Sequence, residues 1–506
     1  MATHSFPAPA DPWRWWPQFI WVTAAAILID LGSFHKHHHS DSFLPVLLSI
    51  HKWTFYYWEQ NRYGMLVALL ATPFDHPFTN LLVQNGITLW AGLMCFPLAA
   101  RWLTPGRAAA VAGPAAAATF VAFAPPKVQW VFMSNVNVFS VSLALGLAGL
   151  LALRTRRPVV IRAAVAAACF AVGSWVNSAL GLLLFPVVVL TALARWAAGD
   201  LPLRAAKPEG WWGRVALHPV VVELVPGAAA SLFGVVVALV LQRLAPYKTT
   251  WVIVPPPEHW WLLIEYVGVD FWEELRPRAW AGFLCGCAAA GGALVWDRRT
   301  RDSATAGTAI AAATTAGATA YGLLLSILFH GLWRYSTPAA ALIHAALVAV
   351  VVRPLAPLWP AAVDRRAVLV GGAAVAVASV VTFGFPSVSA VERDVRTQCG
   401  QGVDELIEAR CTHVTGEYWR VWRAVFAVNW VYAERGDPRR VWGVTFRSGP
   451  TAEYWKAVPL ADTRIGAFPE DQEWAADYLK WFDVPMRPAE LFGPLVIYVP
   501  AAPAGR

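Results

Sequence analysis

The sequence predicts an α-helical polytopic membrane protein of about eleven transmembrane helices, followed by a small C-terminal α/β domain. Three observations predict it. First, 57% of the 506 residues are hydrophobic and only 14% charged, with mean hydropathy +0.48. Soluble domains carry about 25% charged residues. Second, charge is uneven: 30 of the last 120 residues are charged, against 42 of the first 386. Third, apolar stretches near the length that crosses a bilayer, roughly 20 residues, recur throughout that first part. These facts argue against a soluble enzyme. They also exclude collagen-like, disordered and disulfide-scaffold chains, since the apolar content is high and only six residues are Cys.

The domains read as 1–386, membrane-embedded, and 387–506, soluble. The expected spans cover about 17–31, 78–100, 107–124, 134–153, 160–175, 178–195, 217–243, 279–296, 305–329, 337–353 and 366–386. No cleavable signal peptide is expected, because no small-residue cleavage site follows the first apolar run. Trp13, Trp15, Trp16 and Trp21 read instead as an interfacial anchor.

Cationic clusters set the orientation. Arg154, Arg156, Arg157 and Arg162 form one, and Arg195, Arg204, Lys207 and Arg214 the next. Arg298, Arg299 and Arg301 follow, then Arg353, Arg365 and Arg366. Cytoplasmic loops are enriched in Lys and Arg. Eleven spans with a cytoplasmic N-terminus put all four clusters inside. The expected protein is a multi-pass plasma (inner) membrane protein with an extracytoplasmic tail. The membrane part holds 26 Lys+Arg against 16 Asp+Glu, a surplus that belongs to membrane loops and gives no nucleic-acid surface.

The long outer loop after the first span is aromatic and charged. Residues 42–50 suit a short interfacial helix with Asp41 or Ser40 as its N-cap. Asp41 equally suits a catalytic base at the mouth of a cavity, with Asp30 and Glu59 as alternates. His35, His37, His38, His39 and His51 lie in the same loop, but H-x-H-H-H is not a zinc-site spacing. No metal site and no cofactor are therefore assigned, and a divalent metal has no support in the sequence. Arg62 is either a lipid-phosphate ligand, because a guanidinium fork matches phosphate oxygens, or a snorkelling anchor. Lys127, Lys248 and Arg334 repeat that cationic chemistry in later outer segments, and His330 stands beside Arg334. Trp260 and Trp261, among acids in the 246–278 loop, suit either an interfacial belt or stacking on a sugar.

Asp41, followed by Tyr57-Trp58-Glu59-Gln60-Asn61-Arg62-Tyr63-Gly64, resembles the first extracytoplasmic loop of GT-C-type membrane glycosyltransferases. Arg334-Tyr335-Ser336-Thr337-Pro338 before a late span resembles them too. The resemblance implies a polyprenyl-phosphate or polyprenyl-diphosphate sugar donor, a catalytic acid in that first loop and a terminal soluble domain outside the membrane. On it, Asp41 is the catalytic residue; on the residue chemistry, Arg62, Lys127, Lys248 and Arg334 are expected to bind lipid phosphate, and Trp58, His330, Trp260 and Trp261 to bind the substrate. The paired Asp-Glu or Asp-x-Asp of many members is absent, since Ser42 and Phe43 follow Asp41.

The tail alternates helices and strands. The expected elements are a helix over 390–410, a strand at 411–414, a helix over 417–434, a strand at 441–446, a helix over 470–482 and a strand at 495–499. Tyr418 and Trp422, four apart on one helix face, suit core packing or stacking on an acceptor sugar. Cys399 and Cys411, the two tail cysteines, are expected to form a disulfide in an oxidising compartment. The tail contains no G-x-G-x-x-G or P-loop for a nucleotide.

The leading function is therefore transfer of a sugar from a polyprenyl-linked donor to an acceptor on the outer face of the membrane. Its partners are that donor and membrane lipids, and the oligomeric state is open. The alternatives are a transporter or flippase of a lipid-linked or envelope precursor, and a non-catalytic envelope-assembly protein.

Overall fold

A computed structural model describes residues 15–56, 63–104, 106–155, 157–198, 219–245, 255–275, 278–328, 333–358, 363–400, 402–448 and 452–501. The first half supplies helices α1 (Trp16–Asp30), α2 (Ser40–His51), α3 (Leu66–Ala71), α4 (Pro77–Leu103), α5 (Gly106–Phe123), α6 (Pro126–Met133), α7 (Phe139–Leu153), α8 (Val159–Val176), α9 (Ala179–Ala197) and α10 (Pro219–Arg243). Then come α11 (Trp260–Leu275), α12 (Arg278–Trp296), α13 (Arg301–Leu328), α14 (Thr337–Leu355) and α15 (Val363–Phe383). The tail contributes α16 (Val388–Gln398), α17 (Val403–Glu408), α18 (Tyr418–Glu434), α19 (Ala452–Trp455) and α20 (Gln472–Leu479). Its strands are β1 (His413–Thr415), β2 (Trp442–Val444), β3 (Ile465–Ala467), β4 (Met486–Phe492) and β5 (Leu495–Pro500).

The chain divides into two compact units. One takes in residues 1–29, 88–243 and 250–386; the other takes in 30–87, 244–249 and 387–506.

In the first unit, each apolar stretch of the sequence contains a helix. Among the described residues, seven helices are long and apolar enough to cross a membrane, and four shorter apolar helices accompany them. The chain is a multi-pass membrane protein. Small residues let these helices approach closely. A Cβ on Gly317 of α13 would lie 2.8 Å from the Val187 backbone of α9, and one on Gly113 of α5 would lie 2.7 Å from Pro97. One span departs from its sequence outline. Residues 134–138, expected to open a helix, instead form an irregular turn between α6 and α7. Ser134, Asn135 and Asn137 favour turns over helix interiors, because their side chains compete for the backbone.

The second unit is built on a five-stranded sheet of order β2-β1-β3-β5-β4. β1 runs parallel to both β2 and β3, whereas β5 is antiparallel to β3 and β4. Helix α18 makes the crossover from β1 to β2. The sequence outline lacked β3 and β4, and it joined α16 and α17 into one helix. Gly400 (φ +88°) and Gly402 (φ +85°) break that helix, since left-handed backbone ends a helical run.

This unit's core is shared between the tail and the loop after the first span. Phe43, Leu44 and Leu47 of α2 are buried in one cluster with Val421, Val425 and Phe426 of α18. The Phe43 and Phe426 rings stack at 4.4 Å, and Phe78 stacks on Trp430 at 4.9 Å. α2 is thus a core helix, not the interfacial helix its apolar face suggested. Ten of its twelve residues are buried. Burying one Phe side chain contributes roughly 1.5–3 kcal/mol.

Candidate active site

The structure corrects the capping role expected of Asp41. The N-cap of α2 is His39, whose Nδ1 accepts from the Asp41 N–H at 3.2 Å, while Ser42 Oγ accepts from the His39 N–H at 3.3 Å. Asp41 falls in the first turn, and its carboxylate turns to the tail. Tyr418 Oη donates to Asp41 Oδ1. Arg447 Nη1 reaches the same oxygen at 3.3 Å and Tyr418 Oη at 3.1 Å. Both Asp41 and Arg447 side chains are largely buried, at 12% and 13% exposure. Asp41 Oδ2 receives no hydrogen bond among the described residues.

Backbone structure places these donors. Tyr418 opens α18, just past β1, and Glu417 caps that helix by accepting from the Arg420 N–H at 3.1 Å. Ser40 Oγ donates to the Trp419 carbonyl at 2.6 Å, which pins the start of α2 to the start of α18. Arg447 sits three residues beyond β2, in a turn closed by Ser448 N–H to the Thr445 carbonyl at 2.8 Å. The Arg447 guanidinium lies 4.6 Å from the Tyr418 ring centroid and 5.2 Å from that of Phe446. The cluster therefore stands at the carboxyl ends of the parallel strands β1 and β2. That is where the edge of an open α/β sheet offers a crevice for ligands.

Asp30, the alternate base, is already engaged. It is buried, and the His35 Nε2–H donates to its backbone carbonyl at 2.6 Å and to its Oδ1 at 3.2 Å. His35 Nδ1 contacts His38 Nε2 at 2.8 Å, and Asn85 extends this chain at 3.3 Å. Burial, reinforced by the neighbouring His35, holds the His38 ring well below the usual histidine range. The histidine run is thus partly a buried network. Among the described residues no group of three metal-ligating side chains converges.

The other unit carries Lys127 and Arg334. Lys127 Nζ lies 5.5 Å from the Trp333 ring centroid, and the Arg334 guanidinium 5.4 Å from that of Tyr335. Tyr335 packs edge-on against Phe139 at 5.8 Å. The turn at 333–336 therefore brings these two cations into one neighbourhood. Helix α11 packs against the same turn. Trp260 and Trp261 at its start are both exposed, and Trp260 Nε1 donates to the Pro255 carbonyl at 2.9 Å. Trp58, Glu59, Arg62, Lys248 and His330 lie outside the described residues.

Trp422 takes the core-packing reading, and the disulfide expectation changes. Trp422 is a core residue beneath the sheet, where a Cβ on Gly443 would lie 2.5 Å from its ring. Tyr418, its partner on the helix face, serves the Asp41 site instead. Cys399 and Cys411 are both buried free thiols, not a disulfide, and burial pushes each up to about 12. Each packs within the shared core. Arg447 was missed by the sequence reading. Its signal was a lone Arg directly after an expected strand, at the end where parallel strands collect ligands.

No family model and no curated protein matches the chain. Among solved structures it is similar to ArnT from Cupriavidus metallidurans. The undecaprenyl-phosphate-bound form aligns at 14% identity over 96% of this chain and 98% of that one, with a TM-score of 0.45. The apo form aligns at 15% identity over 96% and 97%, with a TM-score of 0.49. The Archaeoglobus fulgidus oligosaccharyltransferase, solved with zinc and sulfate, aligns at 12% identity over 92% of this chain and 70% of that one, with a TM-score of 0.35.

Proposed function

We propose that the chain is a GT-C-type membrane glycosyltransferase that moves a sugar from a polyprenyl-linked donor to an acceptor hydroxyl. The observation that carries this reading is the Asp41 carboxylate, held through Oδ1 by Tyr418 and Arg447 with Oδ2 left open. A general base needs that arrangement: one oxygen fixed, the other within reach of the proton it removes. In the proposed step, Asp41 Oδ2 takes the acceptor O–H proton. The acceptor oxygen forms a bond to the anomeric carbon, and the carbon–oxygen bond to phosphate breaks with its electron pair leaving on the lipid phosphate. A single displacement of this kind inverts the anomeric centre. Lys127 and Arg334 stabilise the departing phosphate, because fixed cations favour charge that develops in the transition state. Arg62 and Lys248 join them on sequence grounds. The oligosaccharyltransferase and the undecaprenyl phosphate named for the similar structures are of the same chemical kind as the reaction and lipid proposed.

The eleven apolar helices all span the membrane in this reading. The N-terminus is cytoplasmic and the tail, with the Asp41 site, lies outside; a reporter that works only outside the cytoplasm should then be active when fused after Arg506.

The decisive test is Asp41→Asn, assayed for transfer from a polyprenyl-phosphate sugar. Asn preserves the size of the side chain and an acceptor for Tyr418. We expect activity to fall by roughly 10²–10⁴-fold while the protein still folds. Full activity in this variant would exclude Asp41 as the base.

A further inference from the structure

We infer that the exposed rings of Trp419 and Phe446, which meet on Tyr418 beside Asp41, are a stacking platform for a neutral sugar residue of the acceptor. This rests on the glycosyltransferase reading above and names the class of acceptor that the Asp41 site takes.

The tail buries most of its large rings. Trp422, Phe426, Trp430, Tyr432 and Trp455 are almost fully enclosed. Among the described residues after 386, three aromatic side chains are exposed: Trp419 at 45%, Phe446 at 50% and Trp474 at 52%. Two of these three pack on one residue, Tyr418, whose hydroxyl donates to Asp41. Leaving a large ring in water forgoes roughly 1.5–3 kcal/mol of burial. A single exposed ring is ordinary. Two rings gathered beside convergent polar groups make a ligand surface.

The fold of the second unit holds both rings in place. Trp419 stands in the first turn of α18, and its carbonyl accepts from Ser40 Oγ at 2.6 Å. Its indole meets the Tyr418 ring at 5.0 Å and the His39 ring at 5.4 Å, both near a right angle. These contacts fix the indole without covering it. Phe446 lies in the turn after β2, with its ring centroid 5.3 Å from that of Tyr418 and 5.2 Å from the Arg447 guanidinium. The Thr445 N–H donates to Ser448 Oγ at 3.0 Å, and Ser448 Oγ donates to the Gly443 carbonyl at 2.9 Å, so the turn is tied down. A surface fixed before binding spends little free energy on ordering itself.

The chemistry selects a sugar. A pyranose has an apolar C–H face and a rim of hydroxyls. The rings suit the face, while the Asp41 carboxylate and Arg447 suit the rim as acceptor and donor. Asp41 and Arg447 lie 3.3 Å apart, so their charges offset each other and favour neither an anion nor a cation. A fatty chain would cover the rings but bring the carboxylate no hydroxyl. A serine or threonine side chain would bring the hydroxyl but no face to spread over two rings. The sugar belongs to the acceptor because the hydroxyl that Asp41 deprotonates is the acceptor's.

The test is saturation-transfer NMR on the full chain in lipid nanodiscs, with no donor present. The probes are maltose, cellobiose, N,N′-diacetylchitobiose, acetyl-threonine amide and dihexanoyl phosphatidylcholine. We expect wild type to bind at least one disaccharide. The Trp419→Leu, Phe446→Leu double variant should bind it about tenfold more weakly and melt as wild type does. Trp419→Phe, which keeps a flat face, should bind nearly as wild type. No disaccharide binding by wild type, or equal binding by the double variant, would overturn the platform. Ring-dependent binding of the threonine or lipid probe alone would assign the rings to a peptide acceptor or a membrane contact, and would overturn it too. If the double variant melts lower, the two single Leu variants are judged by the same criterion. The transferase reading is judged apart, by Asp41→Asn. That variant should still bind the disaccharide while losing transfer. Retained transfer together with ring-dependent sugar binding rejects the base and keeps the platform. Lost transfer without ring-dependent binding does the reverse.

Discussion

Tyr418 donates a hydrogen bond to Asp41 from a position 377 residues further along the chain. The bond joins the loop after the first apolar helix to the tail domain, and Arg447 closes the triangle. The three side chains should act as one unit. Tyr418→Phe and Arg447→Gln should each lower transfer activity about tenfold or more. The double variant should lose less than the product of the two, with a coupling of roughly 0.5–3 kcal/mol. Independent, multiplicative losses in a double-mutant cycle would show that the contacts do not cooperate around Asp41.

The sheet rests on Trp422 through a glycine. A Cβ on Gly443 would lie 2.5–2.9 Å from three atoms of that ring. Gly443→Ala should therefore destabilise the second unit by about 1–3 kcal/mol, because a close-packed core does not absorb an inserted methyl. Urea unfolding followed by tryptophan fluorescence measures this, and a midpoint equal to wild type would mean that Trp422 moves aside freely.

His413 makes the tail acid-sensitive. Its buried ring donates from Nε2 to the Trp455 carbonyl at 2.9 Å, and burial lowers its pKa from 6.5 to about 4. The folded state thus refuses a proton that the unfolded chain accepts. The stability this neutral ring contributes is full above about pH 6.5, declines as pH falls and is gone below about pH 4. The shift corresponds to about 3 kcal/mol. Melting temperatures measured from pH 7.5 down to 4.5 should fall less steeply for His413→Gln than for wild type. Parallel curves would remove His413 as the cause.

The tail thiols should be inert in the native protein. With Cys399 and Cys411 both buried and pushed up to about 12, a maleimide at pH 8 should label neither until denaturant is added, and then label both. Recovery of a disulfide-linked peptide from protein kept under non-reducing conditions would contradict the free thiols of the structure.

Local pattern made much of this chain legible. The apolar stretches, α18 from its cap at Glu417, and β1, β2 and β5 all follow from composition and periodicity. Strand β4 is almost wholly exposed, so it carries no buried alternation to read. Asp41 was visible as an acid in the right loop, but its surroundings were not. Cap and base are indistinguishable when the helix start is uncertain by two residues, and the structure gives the cap to His39.

By itself the sequence determined a multi-pass membrane protein with a charged α/β tail, because hydrophobic length and charge density are local properties of the chain. Tertiary structure alone decided that α2 packs on α18, that Tyr418 and Arg447 meet Asp41, and that Cys399 and Cys411 stay unpaired. The physical reason is distance along the chain. Contacts between residues hundreds of positions apart depend on which buried faces find each other, as Phe43 finds Phe426. No local propensity encodes that choice.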